Sequence, residues 1–179
     1  MGQSEKTAVY KALYTEEERQ RRDRSVWTLV QAVLAPVQFL VFLVSLALIL
    51  RYLATGEGLF AAQVSVILKT LALYAIMVTG SIWEKAVFGR YLFARPFFWE
   101  DVFSMLVLAL HTAYLLCLYL DALSPAGQML LALAAYATYL VNAGQFLWKL
   151  RLARLDRSTQ NPSAAGLAVA PAPLAGASR

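Results

Sequence analysis

Four long apolar runs govern what this chain can become: approximately Trp27–Leu50, Ala61–Trp83, Val102–Leu120 and Gln128–Leu150. A helix needs about 20 such residues to cross about 30 Å of hydrocarbon, and each run is long enough to do so. Between them they take about half of the 179 residues, and what remains leaves nothing for a soluble domain. Composition agrees, because 60% hydrophobic and 15% charged residues with a mean hydropathy of +0.57 lie outside the soluble average. The pattern predicts an all-α, polytopic membrane protein with four transmembrane helices in a bundle.

Basic residues set the expected orientation, since short loops rich in Lys and Arg stay cytoplasmic. Lys6, Lys11, Arg19, Arg21, Arg22 and Arg24 precede the first run; Lys85, Arg90 and Arg95 join the second to the third; Lys149, Arg151, Arg154 and Arg157 end the fourth. The other two connections, "ATGEG" and "DALSPAG", carry no base. Both termini are therefore expected in the cytoplasm, as an even number of spans allows. The net charge of +5 reads as topology and attraction to anionic lipid, with no nucleic-acid partner needed.

Three segments follow: a cytoplasmic N-terminal segment at 1–24, the membrane domain at 25–154 and a tail at 155–179. In "YTEEER", Thr15 precedes Glu18 by three positions, a capping box that predicts an interfacial helix starting there. The charged stretch ahead of the first run argues against a cleavable signal. "STQNPSAAGLAVAPAPLAGASR" is rich in Ser, Ala, Gly and Pro without helical period and is expected to be disordered. The single Cys117 lies within the third run and reads as a small core residue.

Polar residues inside the spans carry the functional information, because in hydrocarbon they must face protein or water. Gln31, Gln38 and Ser45 recur every seven residues on the first span, with Pro36 beside them. Gln63, Thr70, Tyr74, Met77, Ser81 and Glu84 share a face of the second; Glu100, Ser104 and His111 share one on the third, with Asp101 a step aside; Thr138, Asn142, Gln145 and Lys149 form a stripe on the fourth. In the expected topology most of these gather toward the cytoplasmic leaflet, with His111 deeper. Lys69 is expected nearer the outer leaflet, where its stem could snorkel.

Two readings compete. The polar side chains could be interhelical glue, with Ala132, Ala134, Ala135, Ala143 and Gly144 permitting close packing, and the acids could pair with Lys85, Arg90 and Arg95. Alternatively Glu84, Glu100 and Asp101, set among Trp83, Phe88, Tyr91, Phe93, Phe97, Phe98 and Trp99, line a site. An aromatic-ringed cavity with acids at its mouth, a histidine deeper and bases around its rim would suit a large, flat, amphipathic molecule bearing a carboxylate.

Five strings, "WTLVQAVLAPVQFLVFLVSLALILRYLATGEG", "LKTLALYAIMVTGSIWEKAVFGRYLF", "FFWEDVFSM", "LHTAYL" and "LALAAYATYLVNAGQFLWKLR", carry a resemblance to the 3-vinyl bacteriochlorophyllide hydratase family of phototrophic bacteria. It runs from about Tyr14 to Arg154. The resemblance implies a hydro-lyase of bacteriochlorophyll biosynthesis in the bacterial inner or intracytoplasmic photosynthetic membrane, adding water to the C3-vinyl group of chlorophyllide to give a 1-hydroxyethyl group. It implies no cofactor of the protein's own, since the magnesium belongs to the substrate. The expected partners are a chlorophyllide or bacteriochlorophyllide and the lipid bilayer; a homo-oligomer and association with other pigment-synthesis enzymes are both compatible with it.

Such chemistry needs a positioned acid to protonate the terminal vinyl carbon and a second polar group to hold water and take its proton. Glu84 and Glu100 are the candidate acids and Asp101 the partner. His111 has three readings: axial ligand of the substrate magnesium, base, or a side chain bonded to a neighbouring helix. Gln31, Gln38, Tyr74, Trp83, Arg90, Trp99, Ser104, Asn142 and Gln145 are the candidate substrate-binding residues. A non-catalytic pigment-binding or hand-over protein would use the same pocket. A transporter would want ionisable groups on the first and fourth spans near mid-bilayer, and a haem bundle normally two histidines where this chain has one.

Overall fold

The computed structural model describes residues 13–160, all of whose regular structure is helical. The helices are α1 (Glu16–Arg24), α2 (Val26–Thr55), α3 (Leu59–Phe88), α4 (Phe98–Tyr119) and α5 (Pro125–Gln160), with a 3-10 turn at Arg95–Phe97 leading into α4. Four helical stretches are long and apolar enough to cross a membrane: Val26–Thr55, Leu59–Phe88, Arg95–Tyr119 and Pro125–Lys149. Tyr14–Phe146 form one compact unit; the described residues of the other are Leu13 and the last stretch of α5.

Each boundary has a local cause. α1 begins at the expected capping box, with Thr15 Oγ1 accepting from the Glu18 amide and Glu18 Oε2 accepting from the Thr15 amide. α2 ends on Gly56 and α3 on Gly89, both left-handed, with φ of 74° and 79°. An added Cβ at Gly89 would meet nothing, so Gly89→Ala isolates the backbone term. It should cost about 1 kcal/mol in a chemical-denaturation series in detergent, and no measurable loss would show that this cap is not under strain. α5 runs on through residues 155–160, past the expected domain boundary. Lys6, Lys11 and most of the expected tail lie outside the described residues.

Packing is inside-out relative to a soluble bundle. Leu29, Leu40, Val44, Leu71, Leu116 and Leu130 are exposed on the outer faces, while Ser45, Lys69, Thr70 and His111 are fully enclosed. That arrangement suits a hydrocarbon surround, where apolar side chains gain nothing by turning inward and polar ones must. Phe42 forms the apolar centre, its ring 5.1 Å from those of both Tyr136 and Tyr139. Ala62, Ala132 and Ala135 are buried and let the helices approach, whereas Ala134 and Gly144 face outward.

Much of the polar stripe does serve as glue. Gln31 Nε2 donates to Thr79 Oγ1 at 2.7 Å and Trp83 Nε1 to Thr28 Oγ1 at 2.9 Å, tying α2 to α3. Gln63 Nε2 donates to Gln128 Oε1 at 3.0 Å, and Tyr136 donates to Ser45 Oγ, itself 2.7 Å from Ser65 Oγ. Tyr74 bonds Thr112 at 2.8 Å on an exposed part of the α3–α4 seam.

Candidate active site

The three carboxylates are buried, and the reversal between α3 and α4 explains how. After Gly89 ends α3, the chain folds back so that backbone amides of residues 93 and 94 point at the acids. The Phe93 amide donates to Asp101 Oδ2 at 2.7 Å and the Ala94 amide to Glu84 Oε2 at 3.2 Å. Phe93 takes φ of 59° to do this, a conformation that costs a bulky side chain about 1–2 kcal/mol and is held only by its surroundings. Glu84, Glu100 and Asp101 are 5%, 5% and 3% exposed.

Glu84 and Asp101 are in hydrogen-bonding contact with each other across the two helices. Ionised carboxylates are acceptors only, so such a contact needs one proton between them. Asp101 sits in the first turn of α4 with an amide donor on it, a setting that favours the anion. Glu84, at the far end of α3 from its own N-terminus, is the better placed to keep the proton. Glu100 is buried in the same first turn of α4.

The alternative of pairing with nearby bases fares poorly at Glu84. Lys85 Nζ donates to the Gly89 carbonyl at 3.0 Å and stands 5.3 Å from the centre of the Tyr91 ring, and Arg90 and Arg95 are exposed. An aromatic cluster does surround the acids' end of the bundle. Phe97 packs against Trp83 at 5.6 Å, Phe88 at 5.9 Å and Phe146 at 5.9 Å, and Tyr14 stacks on Phe88 at 5.8 Å. Burial pushes the Tyr14 phenol above its ordinary range, partly offset by the Arg22 guanidinium over its ring.

The open aromatic basin expected from the sequence is closed here. Trp83, Phe88 and Phe97 pack on one another, Tyr91, Phe93 and Phe98 are exposed, and the backbone at residues 93 and 94 lies on the carboxylates. Trp99 is 66% exposed and, like Arg90 and Tyr74, is not brought to the acids. Two surface hollows, one on α1 at Glu17, Gln20, Arg21 and Arg24 and one between α2 and α3 at Leu40, Val41, Val44, Ser65 and Leu68, also lie away from them.

One turn deeper along α4, Ser104 Oγ accepts from Asn142 Nδ2 at 2.8 Å. The Asn142 Oδ1, Gln38 Oε1 and Gln145 Oε1 atoms are buried with no hydrogen-bond partner. Three amide oxygens without protein donors are acceptors to which a water could donate.

His111 lies ten residues from Asp101, about 15 Å of helix rise. Its Nδ1 is 2.8 Å from the Val107 carbonyl, which requires the proton on Nδ1 and leaves Nε2 an acceptor. That Nε2 is buried and unpartnered, and the ring stacks on Tyr136 at 5.8 Å. Among the described residues no three His, Cys, Asp or Glu side chains converge to hold a metal ion; His111 Nε2 alone could serve as a single axial ligand.

Lys69 corrects the expectation from sequence. It is fully buried, its Nζ 3.7 Å from the centre of the Tyr139 ring, and it does not snorkel. Its place at i+3 from Val66 and i−4 from Leu73, both core residues, was the available signal: the stem follows the core face of α3.

Four apolar spans enclosing a carboxyl pair, a set of unpaired amide oxygens and one bare imidazole nitrogen define a polytopic membrane protein with acid–base capacity inside its bundle. Residues 14–152 match the family described as 2-vinyl bacteriochlorophyllide hydratase (BCHF), and the chain belongs to that family. The 2-vinyl bacteriochlorophyllide hydratase of Cereibacter sphaeroides is 67% identical over 150 residues, covering 83% of this chain and 92% of that one. The protein of the same name from Rhodobacter capsulatus is 66% identical over 152 residues, covering 84% and 88%. No solved structure matches the chain.

Proposed function

We infer that this chain is a hydro-lyase that adds water across the ring vinyl group of a bacteriochlorophyllide or chlorophyllide. The family and both relatives carry the name of that activity. The single observation that supports a catalytic rather than a carrier role is the Glu84–Asp101 contact, because a protein that merely holds pigment has no use for a proton trapped between two buried acids.

In this reading Glu84 gives its proton to the terminal vinyl carbon, forming a C–H bond as the π pair is consumed. The cation left on the inner carbon is spread into the macrocycle. A water held by the amide oxygens of Gln38, Asn142 and Gln145 forms the C–O bond and passes a proton back to the carboxylate pair, which returns to its starting state. A general acid so placed accounts for about 10²–10⁴-fold of acceleration. Only the short vinyl arm has to reach the acids. His111, about 15 Å away along α4, is too distant to act on the same carbon, and its bare Nε2 suits the substrate magnesium further along the ring.

We take the acid end of the bundle to face the cytoplasm, with both termini on that side and the protein in the bacterial inner or intracytoplasmic photosynthetic membrane; the base-rich α3–α4 connection supports this. No cofactor beyond the substrate's own magnesium enters the scheme. Membranes containing the chain, incubated with vinyl chlorophyllide, should yield the 1-hydroxyethyl product on chromatography. Retention of unmodified pigment without product would favour the pigment-handing alternative.

A further inference from the structure

Lys69 is a buried amine without a hydrogen-bond partner. It is enclosed on α3 near the middle of a 30-residue span, and among the described residues its Nζ has no hydrogen-bond partner. Its close polar contact is the face of the Tyr139 ring, which stabilises an ammonium but does not neutralise it. The Tyr114 hydroxyl, on α4 and three residues beyond His111, is likewise fully buried and unpartnered. An ammonium in hydrocarbon without an anion is costly, and intramembrane ionisable residues of this kind mark ligand sites. The demand is selective, because a lysine ammonium offers three donors and no acceptor. The occupant that completes it is an anion with oxygen acceptors.

We propose that Lys69 Nζ, assisted by the Tyr114 hydroxyl, receives the free propionate carboxylate of the tetrapyrrole and so selects the unesterified pigment. The proposal rests on the hydratase reading and adds the opposite end of the substrate to it. Lys69 stands fifteen residues from Glu84 on α3, about 22 Å of rise, but its Nζ reaches the Tyr139 ring, one turn of α5 from the Asn142 that bonds Ser104 on α4. His111 falls between Lys69 and Glu84. Neutral His111 Nε2 presents a lone pair and would repel a carboxylate, which leaves Lys69 and Tyr114 as the receptor.

The experiment compares vinyl chlorophyllide with its methyl ester, which differ at the propionate alone, as substrates for the full-length chain in membranes. Wild type should show a KM about tenfold or more lower for the acid. Lys69→Met should raise KM for the acid to that of the ester, and Tyr114→Phe should move it part of the way. Equal KM for acid and ester in wild type would overturn the proposal while leaving the hydratase reading intact, and needs no variant to fold. Discrimination that survives Lys69→Met but is lost in Arg90→Gln would also overturn it, placing the carboxylate at the rim. Failure of wild type to hydrate either pigment would instead sink the parent reading.

Discussion

Glu84→Gln lowers the rate of vinyl hydration by about 10²–10⁴-fold, with the protein still inserted and of normal thermal stability in detergent. Glutamine keeps the shape of the side chain and can still accept from the Ala94 amide, a bond of 3.2 Å in the native protein, so the fold at the α3–α4 reversal should persist. What it cannot do is give up a proton to carbon. The assay is product formation by membranes at saturating pigment, where a loss in kcat marks the missing acid and a change confined to KM does not. Asp101→Asn is expected to be as inactive and, since asparagine can likewise accept from the Phe93 amide, to stay folded. Full activity in Glu84→Gln would transfer the role to Glu100.

Phe42→Ala should be the most destabilising single truncation in the apolar core, at about 3 kcal/mol. Phe42 is 1% exposed and touches both Tyr136 and Tyr139, so its removal leaves a cavity at the meeting of α2 and α5. The lower part of the usual range for such a change applies, since the hydrocarbon outside is as apolar as the core and the loss is mainly of packing. Tyr136 also loses the ring that positions its hydroxyl on Ser45. Phe60→Ala, at a side chain 79% exposed, is the control and should change the unfolding midpoint little. Equal losses in the two variants would contradict the placement of the core.

The helices were legible because their cause is local: length, hydropathy and caps are properties of single segments. The Thr15–Glu18 capping box and the four spans follow from such rules. The polar faces were half legible. Period alone placed Gln38, Ser45, Glu84, Ser104, His111 and Asn142 on inward faces, and all are buried. It could not distinguish Gln31, which is spent on Thr79, from Gln38, whose Oε1 remains without a donor, since that depends on what the neighbouring helix presents. The fate of Lys69 needed the same tertiary knowledge: a long stem can leave the bundle or thread it, and only the Tyr139 ring decides. The loop was least legible, because nothing in "FARPFF" announces that Phe93 will adopt a left-handed backbone and close over the acids. Span periodicity did not single out Tyr114, and its unpartnered hydroxyl became visible with the helices assembled.

The account stands or falls on a proton held between Glu84 and Asp101. Infrared difference spectroscopy of the substrate-free protein in lipid, wild type against Glu84→Gln, reads it directly. The account predicts a protonated-carboxyl carbonyl band in the wild type near neutral pH that is absent from Glu84→Gln. A wild-type spectrum with that band missing, or a band that Glu84→Gln leaves in place, would contradict it.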